Sequence, residues 1–554
     1  MNVRFFVLLA LVACSFHEAQ AVPATNPSRP NLIFVLSDDQ RYETLGCTGH
    51  LFGETPNLDR LAAEGVLFTN AHVTSAICTP SRACYFLGQY ERKHGVNFNS
   101  GTALAPQAWS GSYPVVLREA GYFTGYVGKN HVPIGAEGYQ TGLMEKSFDF
   151  WFGGHGHLGF YPKSHHKIFR KAKSDTQAEI IEEGAASFLD SEQEFLEGAD
   201  AFLKKRPVDK PFCLSVSFNL PHAAGTESMQ MLPSDPELYR SAYRNRLEEL
   251  PLSRNYVAKE SIRNPKLPKD LLFTEFRQTG YDYVNTPGAM KERLIRETQT
   301  ITGIDRVLGN IRSILEKQGL ADNTVIVFSS DHGIMSGEFG LGGKALNYEP
   351  CLRVPMIVFD PRRPQEARGL RSAALVQSID VAPSLLDYAG VKVPDTMQGS
   401  SVRPLVEGRA KSIREYSFSE NLWSTYFGNP RVESVQDLEW KYIRYFKNDR
   451  ELFTSVTPKT AYLVSDKMRE TYIHWLKASI EGELPMYEEL YHLASDPNET
   501  NNLASRPAYN QVLERMRTEC QRMVSSAKGD VTLPPLTIAV AEMKEGKRKG
   551  VEAK

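Results

Sequence analysis

Long apolar runs are missing from this chain of 554 residues. No stretch reaches the ~18 residues that a membrane-spanning helix requires, so the sequence offers no transmembrane span. Cysteine is scarce. The seven residues, Cys14, Cys47, Cys78, Cys84, Cys213, Cys351 and Cys520, fall at scattered spacings. That usage excludes a fold built on a disulfide framework and leaves room for at most one or two bridges. Net charge is nearly absent too, since 64 Lys and Arg against 66 Asp and Glu give −2. The balance argues against a nucleic-acid partner and leaves only local basic patches. Internal repeats and low-complexity segments are lacking. Core-forming material is abundant: hydrophobic residues make up 41%, with 28 Phe, 24 Tyr and 5 Trp, against 23% charged. A chain of this length and composition packs into two or three units and is not disordered.

Residues 1–21 have the pattern of an export signal. Arg4 precedes the apolar stretch from Phe5 to Ala13, and Ala19-Gln20-Ala21 is a small-x-small cleavage site. Pro23, Pro27 and Pro30 follow at once and count against a buried first helix. A second reading stays open. Leu11-Val12-Ala13-Cys14 has the form of a bacterial lipobox, with a signal of residues 1–13 and a lipid anchor at Cys14. Either route predicts an exported protein: periplasmic, cell-surface or secreted.

Asn31-Leu-Ile-Phe-Val-Leu36 is a continuous apolar run, as expected of a strand buried on both faces of a parallel sheet. Tyr122 to Val127, Phe212 to Phe218, Thr324 to Phe328 and Pro355 to Phe359 read the same way. Helical patterns lie between them, at Pro56 to Glu64, Val115 to Ala120 and Glu297 to Gln318. In the last, Ile301, Ile304, Leu308, Ile311 and Leu315 recur at three- and four-residue intervals until Gly319. The alternation predicts an α/β fold with a central, mostly parallel sheet flanked by helices. Four strands end in polar clusters: Ser37-Asp38-Asp39, Gly128-Lys129-Asn130-His131, Asn219-Leu-Pro-His222 and Ser329-Ser-Asp331-His332. Open α/β sheets bind ligands at the carboxyl ends of their strands, so these clusters are expected to meet in one crevice. After about residue 405, Tyr416 to Ser419 and Trp440 to Phe446 predict a smaller antiparallel sheet, and Pro507 to Ser525 a final helix. The expected division is a catalytic domain over 29–405, a carboxyl-terminal subdomain over 406–530 and a charged tail over 531–554.

The segment Ala76-Ile-Cys78-Thr-Pro80-Ser-Arg82, with Gly88 six residues further on, resembles the signature of the type I sulfatases. Gly121-Tyr-Phe-Thr-Gly-Tyr-Val-Gly128-Lys129-Asn-His131 is similar to the second signature of that family. Asp380-Val-Ala-Pro-Ser-Leu-Leu-Asp387 and Tyr491-His-Leu-Ala-Ser-Asp-Pro-Asn498 extend the likeness over nearly the whole chain. The resemblance implies an alkaline-phosphatase-like α/β sandwich and an enzyme that hydrolyses sulfate esters. It further implies a maturation enzyme that converts Cys78 to Cα-formylglycine, whose hydrate attacks sulfur and later expels sulfate. An ordinary anionic nucleophile would be repelled by the sulfate monoester, and a hydrated aldehyde avoids that.

Two adjacent carboxylates repel, and a cation relieves the strain at Asp38 and Asp39. The resemblance implies a divalent metal held by Asp38, Asp39, Asp331, His332 and the modified Cys78. Oxygen-rich ligation points to Ca²⁺ before Mg²⁺. It also implies that Lys129 and Lys344 bind the sulfate and that Arg82 orients the formylglycine. His131 matches the base that collapses the covalent sulfate, and His222 the group that protonates the departing alkoxide. Two positions depart from the family pattern. Asn is common where His332 stands, and Pro usually follows two residues after the His at 222, where this chain has Ala224.

The basic, aromatic stretch from Phe160 to Lys173 reads either as a solvated loop or as a collar for a polyanion. The expected substrate is a sulfated polysaccharide or oligosaccharide, its identity set by loops near 132–175 and 225–290. Two other readings are carried forward. One is a phosphate-ester or phosphonate hydrolase of the same superfamily; the other is a non-catalytic carbohydrate-binding protein on a sulfatase scaffold.

Overall fold

The computed structural model describes residues 29–50, 52–98, 102–155, 198–224, 229–231, 242–271, 281–422, 429–447, 466–528 and 536–537. The signal and lipobox, the Phe160–Lys173 stretch and most of the tail lie outside the described residues. In chain order the strands are β1 (Asn31–Asp38), β2 (Val66–His72), β3 (Thr102–Ala103), β4 (Phe123–Asn130), β5 (Phe150–His155) and β6 (Phe212–Pro221). There follow β7 (Thr324–Ser330), β8 (Met335–Ser336), β9 (Gly342–Gly343), β10 (Met356–Phe359) and β11 (Leu370–Gln377). The last are β12 (Ser417–Asn421), β13 (Arg431–Gln436), β14 (Trp440–Phe446), β15 (Tyr487–His492) and β16 (Leu536–Thr537).

Eight strands form the large sheet in the order β11-β2-β10-β7-β1-β6-β4-β5. Every pair is parallel except the two made by β10, which runs antiparallel to both β7 and β2. The apolar runs legible in the sequence are its central strands. Leu32, Ile33, Val216 and Val327 are buried because helices cover both faces, and the two faces carry separate apolar clusters. Since β1, β4, β6 and β7 run parallel and adjacent, their carboxyl ends lie along one edge.

The long helix spans Pro287–Lys317, starting ten residues earlier than its apolar spacing indicates. Thr286 caps it, its side chain accepting from the Ala289 N–H at 3.2 Å, and Pro287 opens the first turn. The early turns escaped the pattern because Glu292, Arg293, Arg296 and Glu297 are charged yet buried. The predicted final helix runs from Asn510 to Lys528.

The second sheet, β12-β13-β14-β15, is antiparallel throughout. It docks on the layers around the large sheet and does not stand apart: Val432, Ile443, Tyr445 and Tyr491 share one buried cluster with Leu36, Ala76 and Leu346. The six described cysteines are all unpaired, so the one or two bridges left open by the sequence are not formed among them.

Candidate active site

The four polar strand ends converge. The β1 end supplies Asp38 and Asp39. In a continued strand their side chains would point to opposite faces. The chain instead turns at Asp39, whose φ of 62° is the left-handed region that Asp tolerates better than most residues. Both carboxylates therefore enter the same cluster. Asp331 and His332 follow the β7 end, and the Asp39 N–H donates to Asp331 Oδ1 at 3.2 Å, tying the two turns together. Cys78 is the first residue of the helix Cys78–Leu87. Arg82 lies four residues on, on the same face of that helix.

Ligand atoms of Asp38, Cys78, Asp331 and His332 all lie within 4.8 Å of one another, and so do those of Asp38, Asp39, Cys78 and His222. All of these residues are buried. Cys78 Sγ is 3.3 Å from His332 Nε2, 3.2 Å from Lys344 Nζ and 3.7 Å from Asp38 Oδ1. Lys129 reaches Asp38 Oδ2 at 2.5 Å, and Lys344 donates to Asp39 Oδ1 at 2.8 Å. Arg82 is the hub. Its Nε donates to Asp331 Oδ2 at 2.9 Å and its Nη2 to Asp38 Oδ2 at 2.7 Å and to the Phe218 carbonyl at 3.1 Å. Its Nη1 donates to the Lys129 carbonyl at 3.3 Å and to the Ser217 hydroxyl.

These contacts set the electrostatics. Burial pushes the Asp38 carboxyl up, but Lys129 and Arg82 outweigh it and hold the group well below the usual carboxylate range. Asp331 is raised, by burial first and then by the charge of Asp38. Burial lowers His332, yet the neighbouring Asp331 carries it up to about 9. Lys344 stays firmly cationic, because Asp39 overcomes the cost of burial. His222 Nε2 stands 4.0 Å from Asp39 Oδ2. His131, just beyond β4, is buried with its ring edge-on to Phe98 at 5.5 Å. The close approach of β4 to β6 requires Gly128, where a Cβ would lie 1.9 Å from the Ser217 carbonyl.

The donor set fits a hard divalent cation. Three carboxylates dominate it, and Asp39 Oδ2 is a buried oxygen that accepts no hydrogen bond among the described residues. His332 Nδ1 sits 2.9 Å from the Gly333 carbonyl, an arrangement that leaves Nε2 to face position 78. Position 78 also suits an electrophilic side chain, since His332, Lys344 and Asp38 surround it and Arg82 fixes the carboxylates beside it. Sequence reasoning missed Ser217 and Phe218, which hold Arg82. It also missed Glu297, a buried carboxyl on the long helix whose Oε1 is unpartnered among the described residues and which burial raises to about 7. The polar end of the Phe212–Pro221 strand was a usable signal for Ser217; nothing local marked Glu297.

Three Asp, three fixed cations and two His around one buried Cys define a centre for transfer of an anionic group. Comparison then identifies the family. The family model described as Sulfatase matches residues 30–391, and the chain belongs to that family. A second model, N-sulphoglucosamine sulphohydrolase, C-terminal, matches residues 337–482. A curated relative, an N-acetylglucosamine-6-O-sulfatase of Bacteroides thetaiotaomicron, is 27% identical over 476 residues, covering 78% of this chain and 80% of its own. A solved structure of a protein in complex with its substrate, D-glucosamine-2-N,6-O-disulfate, superimposes with a TM-score of 0.64 at 22% identity, covering 91% of this chain and 99% of its own. A phosphonate monoester hydrolase of Silicibacter pomeroyi shares the fold at a TM-score of 0.64 and 19% identity, covering 91% of this chain and 96% of its own.

Proposed function

We propose that this sulfatase removes sulfate from a sulfated carbohydrate, using Cys78 as the precursor of its nucleophile. The observation that carries the reading is the buried meeting of Cys78 with three aspartates and with Arg82, Lys129 and Lys344. Two of the proteins named above, the N-acetylglucosamine-6-O-sulfatase and the structure bound to glucosamine disulfate, are named with sulfated glucosamines, which supports a sulfated sugar as the substrate class.

In this reading a maturation enzyme would convert Cys78 to Cα-formylglycine, and Asp38, Asp39, Asp331, His332 and residue 78 would hold Ca²⁺. Together these groups supply a hydrated-aldehyde nucleophile and a Lewis acid for the sulfuryl oxygens. The chain's own residues do the rest. Lys129 and Lys344 neutralise the sulfate as it enters a water-poor site, where fixed charges act strongly. Arg82 holds Asp38 and Asp331 in register and favours the ionised form of each. His131 takes the proton whose loss regenerates the aldehyde, and His222 donates one to the leaving sugar oxygen. The unit spanning 29–405 is catalytic, and 406–530 forms the carboxyl-terminal subdomain. Export through the amino-terminal signal, with or without acylation at Cys14, places the enzyme where sulfated polymers occur.

An aryl sulfate and the matching aryl phosphate, assayed with Ca²⁺ and with a chelator, test this function. The expected outcome is at least a hundredfold preference for the sulfate, with chelation lowering both the rate and Tm and Ca²⁺ restoring them. A preference for the phosphate would move the enzyme to the phosphoester branch of its fold. Indifference to chelation would remove the metal assignment.

A further inference from the structure

Lys344 is carried by an unusual loop. The short hairpin β8–β9, Met335 to Gly343, delivers it, and two residues that are not glycine adopt left-handed backbone there: Phe339 with φ 56° and Ala345 with φ 62°. Such a conformation strains a residue that carries a Cβ and persists only where surrounding contacts over-determine it. Several of those contacts come from residues outside the sulfatase motifs, Asn255, Val257, Lys266 and Asn429 among them.

At the hairpin tip, the Phe339 N–H donates to the Asn255 carbonyl at 2.7 Å, and the Val257 N–H donates to the Gly337 carbonyl at 2.9 Å. Lys266 closes this end. Its ammonium lies 4.4 Å from the centre of the Phe339 ring, 5.5 Å from Tyr348 and 4.7 Å from Tyr491, and donates to the Glu499 carbonyl. One lysine thus joins the hairpin tip, the segment before the long helix and the second sheet through cation–π contacts. At the base, the Ala345 N–H donates to the Ala76 carbonyl at 2.7 Å, two residues before Cys78. Asn429, fully buried beside the second sheet, donates through Nδ2 to the carbonyls of both Lys344 and Ala345 at 2.9 Å. Asn421 adds a bond to the Ala345 carbonyl at 3.2 Å.

We propose that Asn429 and Lys266 are positioning residues that clamp the two ends of the strained loop presenting Lys344 to the sulfate. The proposal deepens the function above and rests on the reading of Lys344 as an anion-binding cation. With the clamps in place, the loop delivers the Lys344 ammonium to within 3.2 Å of position 78. Without either clamp, Ala345 or Phe339 relaxes to an ordinary backbone conformation and the ammonium leaves that position. The carboxyl-terminal sheet thereby completes the active site, though it supplies no group that meets substrate.

The test is a double-mutant cycle read on an aryl sulfate and on competitive inhibition by inorganic sulfate. Asn429→Ala and Lys266→Met are each expected to lower kcat/KM about tenfold and to raise the sulfate inhibition constant in parallel. In a Lys344→Ala background the same substitutions are expected to cost less than about twofold, because the group they position is gone. Full multiplicative losses in that background, or kcat/KM within about twofold of the parent in both single variants, would overturn the proposal. Should Asn429→Ala fail to fold, Lys266→Met, close in size and shape, carries the same cycle. If Lys344→Ala alone retains parental kcat/KM, the anion-binding reading falls first and takes the clamps with it.

Discussion

Cys78→Ala is expected to abolish sulfate-ester turnover, by more than about 10⁴-fold in kcat/KM, while the protein remains folded. The side chain is fully buried and small, and its neighbours are polar groups with other partners. Arg82 still spans Asp38 and Asp331, and both lysines still meet carboxylates. Little apolar packing is lost, so Tm is expected to stay within a few degrees of the parent. What disappears is the atom from which the nucleophile is made, and no other cysteine can replace it. Cys84 and Cys351 are fully buried, and burial raises their thiols. Measured by single-turnover kinetics beside a thermal melt, this variant separates catalysis from scaffold. A non-catalytic carbohydrate-binding protein would have no turnover to lose.

Arg82→Leu is expected to give the largest loss of stability among single changes in the site, about 3–5 kcal/mol. The substitution keeps much of the volume but leaves Asp38 and Asp331 buried without their shared guanidinium. Asp331 is already raised by burial and by Asp38, and losing Arg82 removes one of the charges that lower it. The sign follows from linkage. Asp331 has a folded pKa above its unfolded one, so its share of the variant's stability is lost as pH rises from about 4 through that value and recovers as pH falls, whereas Asp38 keeps Lys129, His222 and Lys344 beside it. In the parent the folded pKa of Asp38 is depressed; its contribution is present above about pH 4 and is lost on acidification. Urea unfolding of both proteins at pH 5 and pH 8, with chelator present, measures the difference. A cost below about 1 kcal/mol at pH 8 would contradict the role given to Arg82.

The parts of this molecule legible in sequence share a physical cause. A strand buried on both faces must be apolar throughout, so Asn31 to Leu36 and Thr324 to Phe328 announced the centre of the sheet. Parallel strands then place their polar ends on one edge, which is why Asp38, Lys129, His222 and Asp331 could be grouped before any distance was known. Position 78 was singled out by the resemblance of Cys78-Thr-Pro80-Ser-Arg82 to the sulfatase signature, and the structure sets these residues on one helix. The remainder depends on contacts that leave no local trace. Glu292, Arg293 and Glu297 look like a solvated helix face and are buried. Asn429 reaches Lys344 across 85 residues of sequence, and Lys266 reaches Glu499 across 233. The departures at His332 and Ala224 also resolve differently. His332 stands 3.3 Å from Cys78 Sγ, and His222 lies beside Asp39 with Ala224 two residues further on.

The most direct test of the account is the mass of the tryptic peptide Leu61–Arg82, taken from protein made in a host with a formylglycine-generating enzyme. The account predicts a peptide lighter by the replacement of the Cys78 thiol with an aldehyde, with the extent of conversion tracking kcat across preparations. An unmodified Cys78 in protein that nevertheless hydrolyses sulfate esters would contradict it.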